Sequence, residues 1–223
     1  EAVSDASMND ALYNTGVGYQ SLSALTTGDG NTCMGQNSGV LLTDGQYNVI
    51  IGQSTGASTT SAQRVTAIGV DSLNRDATSA AIGSVAVGYA ALNLLTSGIG
   101  NVAIGYQSLD AVATSDYNTA VGDNALGAVS SDGTAGNTAM GYQAGLALTS
   151  GIKNTLLGYK ALATADATES ENVVIGYDAM GALDEGASGA ADKNVCIGIK
   201  AGLGGVTALF SENVAIGAYA FDG

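Results

Sequence analysis

The stretch Asn101-Val102-Ala103-Ile104-Gly105-Tyr106-Gln107-Ser108-Leu109 constrains this chain more than any other feature, because close copies of it recur from one end to the other. Aligned on the glycine, the copies fall at Gly18, Gly35, Gly52, Gly69, Gly88, Gly105, Gly122, Gly141, Gly158, Gly176, Gly198 and Gly217, mostly 17 to 19 residues apart with one step of 22. A period this short and regular signals a solenoid, in which each repeat forms one coil and buries its apolar side chains by stacking on its neighbours. One elongated repeat domain over residues 1–223 is therefore expected. Its least regular part lies at about 54–84, where Val65 and Ser84 replace the leading Asn and Ala80-Ala81-Ile82-Gly83 reads as an extra partial copy.

With the leading Asn as position 0, position 1 is always Thr or Val and position 3 is always Val, Ile, Leu or Met. That is the β-branched, period-two pattern of a short strand. The glycine density, 33 residues in 223, excludes helix. The invariant glycine at position 4 points to a positive φ or to close backbone approach between coils. Position 7 is always Ala, Ser or Thr, and position 8 is a large apolar residue or a Gly followed by a small or apolar one, which predicts a second short strand there. The expected fold is all-β, a parallel β-solenoid of about twelve coils stacked about 4.7–4.9 Å apart, roughly 55 Å long. Ten leading asparagines would then lie above one another and hydrogen-bond along the stack.

Position 2 reads Gly, Cys, Ile, Ala, Ala, Ala, Ala, Ala, Leu, Val, Cys and Ala, and is never polar. Since it alternates with positions 1 and 3, neither strand face has a polar surface for water, and an uncovered stripe would measure roughly 500 Å², at the upper end for a soluble monomer. Because position 3 is bulkier, positions 1 and 3 are expected inside the coil and position 2 at a contact with further copies of the chain. On that reading, Asp at Ala103 and Ala120 would disrupt assembly. Cys33 and Cys196 both occupy position 2, nine coil steps or roughly 43 Å apart. That is far beyond disulfide reach, so two buried free thiols near the contact are expected.

Net charge is −14 with only six Lys and Arg, which argues against nucleic acid or an anionic membrane as partner. No apolar run approaches the ~20 residues of a membrane-spanning helix, so no membrane contact by this chain is expected, and Glu1-Ala2-Val3-Ser4-Asp5 lacks the pattern of a signal peptide. Histidine is absent, so no Ser or Cys has the usual activating base, and an enzyme reading is disfavoured. No cofactor is expected. Asp184, Glu185 and Asp192 lie in the longest insertion, 184–192, expected to bulge from the shaft; their irregular spacing favours a solvated loop over calcium. Thr at position 1 exchanges freely with Val, which argues for shape rather than an ice-binding hydroxyl array. Tyr142, Tyr159 and Tyr177 share position 5 in successive copies and form a possible surface ligand ladder, since stacked aromatics can bind sugars; ordinary inter-coil packing is the favoured explanation.

The unit Asn-Val-Ala-Ile-Gly followed by Tyr-Gln-Ser-Leu resembles the head repeats of YadA-like trimeric autotransporter adhesins, and is similar to arrays in phage tail-fibre proteins. The resemblance covers nearly the whole chain. It implies a left-handed β-roll, an intertwined homotrimer, and an extracellular attachment module on a virion or cell surface, with surface glycans or proteins as possible ligands. The competing readings are a purely structural subunit of a self-stacking filament and, more distantly, a sugar-cleaving tailspike. The first copy opens in mid-repeat and the last completes its unit at Phe221, so end-to-end stacking is a further expectation.

Overall fold

A computed structural model describes residues 11–78, 81–130, 135–164, 168–181, 191–203 and 211–221. Twelve strands of three residues each, β1 to β12, occupy Thr15–Val17, Thr32–Met34, Val49–Ile51, Thr66–Ile68, Val85–Val87, Val102–Ile104, Thr119–Val121, Thr138–Met140, Thr155–Leu157, Val173–Ile175, Val195–Ile197 and Val214–Ile216. They form one parallel sheet in strict chain order, β1 beside β2 and so on to β12. Every pairing keeps the repeat in register, as in Val102↔Thr119, Ala103↔Ala120 and Ile104↔Val121. This is the expected β-solenoid, and its sheet runs unbroken through the irregular region by way of β4.

The second strand expected around positions 7 and 8 is absent among the described residues; that arc is a run of turns. The cause is local backbone geometry. Positions 4, 6 and 8 all have positive φ, as in Gly105 (137°), Gln107 (49°) and Leu109 (50°), and alternate left-handed residues cannot continue an extended strand. A fourth left-handed residue precedes each strand, at Tyr117 before Asn118 for example. These four positions recur in all twelve coils and account for every positive φ among the described residues. Many are not glycine, so they carry strain of order 1–3 kcal/mol apiece, held in place by bonds between coils. Gln107 N–H donates to the Tyr89 carbonyl at 2.9 Å and Leu109 N–H to the Ala125 carbonyl at 3.1 Å, so the ladder continues past the strand as single bonds to the coils on either side.

The coil interior is the reverse of the expected one. Position 2 points inward and is fully buried from Cys33 to Cys196, whereas positions 1 and 3 face outward. Side-chain volume misleads here, because the interior also receives position 8, where Leu22, Leu73, Leu92, Leu109, Leu126 and Leu162 are buried. With leucine at position 8, a small position 2 completes the packing. Where position 2 is larger, glycine compensates: a Cβ on Gly39 would lie 3.0 Å from Cys33 Sγ, and one on Gly202 would lie 2.8 Å from Cys196 Sγ. Gly145 makes room for Leu156 of the next coil, whose Cδ1 lies 2.7 Å from its would-be Cβ. A third buried column, Leu25, Leu42, Leu95, Val112, Val129 and Leu148, lies eleven residues after position 0, inside a connector whose turn residues hid it.

The asparagine stack forms as expected and is buried. Asn48 Nδ2 donates to Asn31 Oδ1 at 2.9 Å and to the Ala62 carbonyl at 2.8 Å, while Asn48 N–H donates to the same Oδ1 at 3.1 Å. The pattern recurs from Asn137 through Asn154 to Asn172. Val65 and Ser84 interrupt it, although Val65 N–H still reaches Asn48 Oδ1 at 3.0 Å and Ser84 Oγ accepts from Asn101 N–H at 3.2 Å.

Candidate functional site

The outward strand face is the first candidate surface. Position 3 places Val17, Met34, Ile68, Ile104, Met140, Leu157 and Ile216 in one column, each between 37% and 66% exposed. Beside it runs position 1, half-buried or exposed Thr and Val throughout. Neither column contains a charged residue in any strand. The apolar stripe expected at position 2 is therefore interior, and the exposed apolar column is position 3, beside a position 1 that is Thr in six coils and Val in six. Position 2 cannot meet a partner, and Asp at Ala103 or Ala120 would bury a charge inside the coil.

The twelve repeat glycines set the pitch of this face. Their φ values run from 126° to 140°. In the eleven followed by another coil, an added Cβ would come within 2.2 to 2.7 Å of the next glycine's carbonyl oxygen. Both anticipated reasons for glycine, positive φ and close approach, thus act at once.

Tyr142, Tyr159 and Tyr177 are brought together as a stack, with ring centroids 5.1 Å apart at both steps and planes within 18° and 5°. Tyr89 and Tyr106 make a second, shorter stack at 5.3 Å. In both, the ring faces are turned on each other and solvent meets mainly edges, so a sugar seeking a flat face finds one only at the ends of each stack. Lys160 Nζ lies 5.6 Å from the Tyr159 centroid, within range of a cation–π contact. A feature that the sequence reading missed adjoins Tyr89: a notch of about 340 Å³ in the side of the fifth coil, lined by Asp71, Ala90, Asn93, Gln107 and Asp110 among others. Position 6 is alanine only at Ala90, and that single small residue in a column of longer ones was the available signal.

Cys33 and Cys196 are free and buried, as expected, but they face the coil interior rather than a chain contact. Burial pushes both thiols up, Cys33 to about 12 against the opposing hydrogen bond with Ser38, and Cys196 to about 11. Asp184 and Glu185 lie outside the described residues, whereas Asp192 Oδ1 accepts from Ser170 N–H at 2.7 Å. Among the described residues there is no group of three or more His, Cys, Asp or Glu able to hold a metal, and no helix long and apolar enough to cross a membrane. No family model, curated protein or solved structure matches the chain.

Proposed function

We propose that the chain is a segment of an extracellular attachment fibre, a left-handed β-roll that assembles as a homotrimer through the outward face of its sheet. The observation that carries this reading is the uncharged, half-exposed column of positions 1 and 3. A partner covering it along its length must match a repeat of about 4.8 Å, and another copy of the same chain does so by construction. The resemblance to trimeric adhesin heads and tail-fibre arrays points the same way. None of the fourteen net negative charges lies on this face, so no like charges would meet at the contact.

Light scattering tests the assembly: the wild type is expected as a trimer, and Ile104→Lys with Met140→Lys as a folded, dissociated chain with an unchanged circular dichroism spectrum. A stable wild-type monomer would sink the reading. An immobilised glycan array then separates attachment from a purely structural filament role. Specific binding supports attachment, and silence across surface polysaccharides favours the scaffold. Release of sugar from polysaccharide would instead indicate a tailspike hydrolase.

A further inference from the structure

The notch on the fifth coil interrupts an otherwise regular surface. Position 6 carries Gln, Asn, Ser, Asp, Lys or Tyr in every other coil, and these side chains stand side by side along the shaft. At Ala90 the column loses a side chain, leaving the 340 Å³ gap between Asp71 of the coil before and Gln107 of the coil after. Tyr89 forms one wall and Asn93 and Asp110 another. That volume is at the small end of ligand sites, room for one sugar ring rather than a chain.

The walls are fixed before anything binds. Ala90 N–H donates to the Val70 carbonyl at 3.0 Å, and Gln107 N–H donates to the Tyr89 carbonyl at 2.9 Å. Asn93 Nδ2 donates to the Asp71 carbonyl at 2.8 Å, which turns its own Oδ1 into an acceptor held in place. Asn74 Nδ2 donates to Asp71 Oδ1 at 3.2 Å and steadies that carboxylate. The Asp110 carboxylate is held by the backbone N–H groups of Asp110 and Ala111 while burial pushes its pKa up. Tyr106 covers one face of the Tyr89 ring. Its other neighbour at position 5 is Val70, so no second ring covers the remaining face.

From this geometry we propose that the notch is a binding subsite for a single pyranose ring, with Tyr89 as the apolar wall and Asp71, Asn93, Gln107 and Asp110 as partners for its hydroxyl groups. A sugar offers several O–H donors at the edge of an apolar ring. The lining answers with carboxylate and amide acceptors around an aromatic and an alanine. A calcium ion fits less well, because two carboxylates and two amide oxygens fall short of the roughly six to eight oxygens it takes, and no group of three or more His, Cys, Asp or Glu occurs among the described residues. An organic cation would use the carboxylates and the ring but leave the amides of Asn93 and Gln107 without a role. The proposal rests on the attachment reading for its biological sense, though not for its geometry.

The test uses the purified protein in whatever assembly it forms, probed with methyl glycosides of glucose, galactose, mannose and N-acetylglucosamine, and with tetramethylammonium, by saturation-transfer NMR. At least one glycoside is expected to bind, with affinity reduced tenfold or more in Ala90→Gln and in Tyr89→Ala. Ala90→Gln places in the notch the residue that position 6 already carries at Gln20, Gln107 and Gln143, all with positive φ, so the variant should fold normally. Binding that survives both variants, binding of tetramethylammonium alone, or no binding by any glycoside would each overturn the proposal. A trimer without sugar binding removes the notch and leaves the assembly standing, whereas a monomer that binds sugar does the reverse.

Discussion

At the scale of single residues, the coil repeat depends on what a side chain would strike. Gly105 has φ 137° and faces the Gly122 carbonyl across the coil gap. Gly105→Ala should therefore destabilise by at least about 2 kcal/mol from backbone strain alone, read as a drop in urea midpoint, whereas Gly217→Ala should cost less because an added Cβ there has its nearest neighbour at 4.0 Å. Equal losses at the two glycines would mean that φ and not close approach sets the requirement. The buried thiols give a pH signature. Their folded pKa values, about 12 and about 11, lie above the ordinary 9.0. The unfolded chain thus loses these protons first, and the stability they support is complete below about pH 9 and falls as pH rises towards 11. Cys33→Ala should flatten that alkaline decline in melting temperature, and both native thiols should resist iodoacetamide at pH 8 while reacting in urea.

At the scale of the repeated element, the asparagine column and the apolar columns divide the work. Asn118 is fully buried; its Oδ1 accepts from both Asn137 N–H and Asn137 Nδ2, and its own Nδ2 donates to Asn101 Oδ1 and Ser115 Oγ. Asn118→Ala would leave those groups unpaired in a dry interior, at about 1–3 kcal/mol for each one stranded. Asn118→Asp should be no better, because it removes the donor and buries a charge. If instead both variants melted with the wild type, the ladder would be a consequence of stacking rather than a support for it. Positions 2 and 8 share the interior volume in several coils, as in Cys33 with Gly39, Ile50 with Gly56 and Ala103 with Leu109, whereas Leu156 with Leu162 and Val174 with Met180 are large at both. In the former coils, small-for-large exchange between the two positions keeps the interior filled.

At the scale of the whole molecule, the hydrophobic interior is two clusters rather than one. Leu22, Leu25, Cys33, Leu42 and Ile50 form the first, and the second begins at Ala62 and continues to Ala215. The gap coincides with Thr59, a buried polar residue where the coil before has Leu42 and the coil after buries only Ala77, and lies next to Val65, which breaks the asparagine column. Repeat arrays lose cooperativity where the interface between neighbours is weakest. Native-state hydrogen exchange should therefore find the first three coils opening at lower free energy than the coils around β6 and β7, and Thr59→Leu should narrow the difference. A single opening free energy across all twelve strands would show that the backbone ladder alone carries the coupling. Towards the C-terminal coils the surface gains ion pairs between successive repeats, Lys153 with Glu171 at 3.2 Å and Lys193 with Glu212 at 3.7 Å. Both are exposed and worth little on their own.

Much of this was legible in the chain. The spacing of the glycines determined the solenoid, its coil count and the register of the strand before each glycine, because one residue type at one position in every copy leaves a single way to stack the copies. The asparagine column followed from the same alignment. Alternation showed that both strand faces are apolar, yet it could not say which one turns inward. That depended on where Leu109 and its equivalents, and the connector column around Val112, deliver their volume, and on left-handed backbone at positions 6 and 8 that no residue type there announces. The same geometry replaced the expected second strand with turns. The notch at Ala90 also required the tertiary structure, because a missing side chain becomes a site only when Asp71, Tyr89, Gln107 and Asp110, scattered over forty residues, are stacked around it.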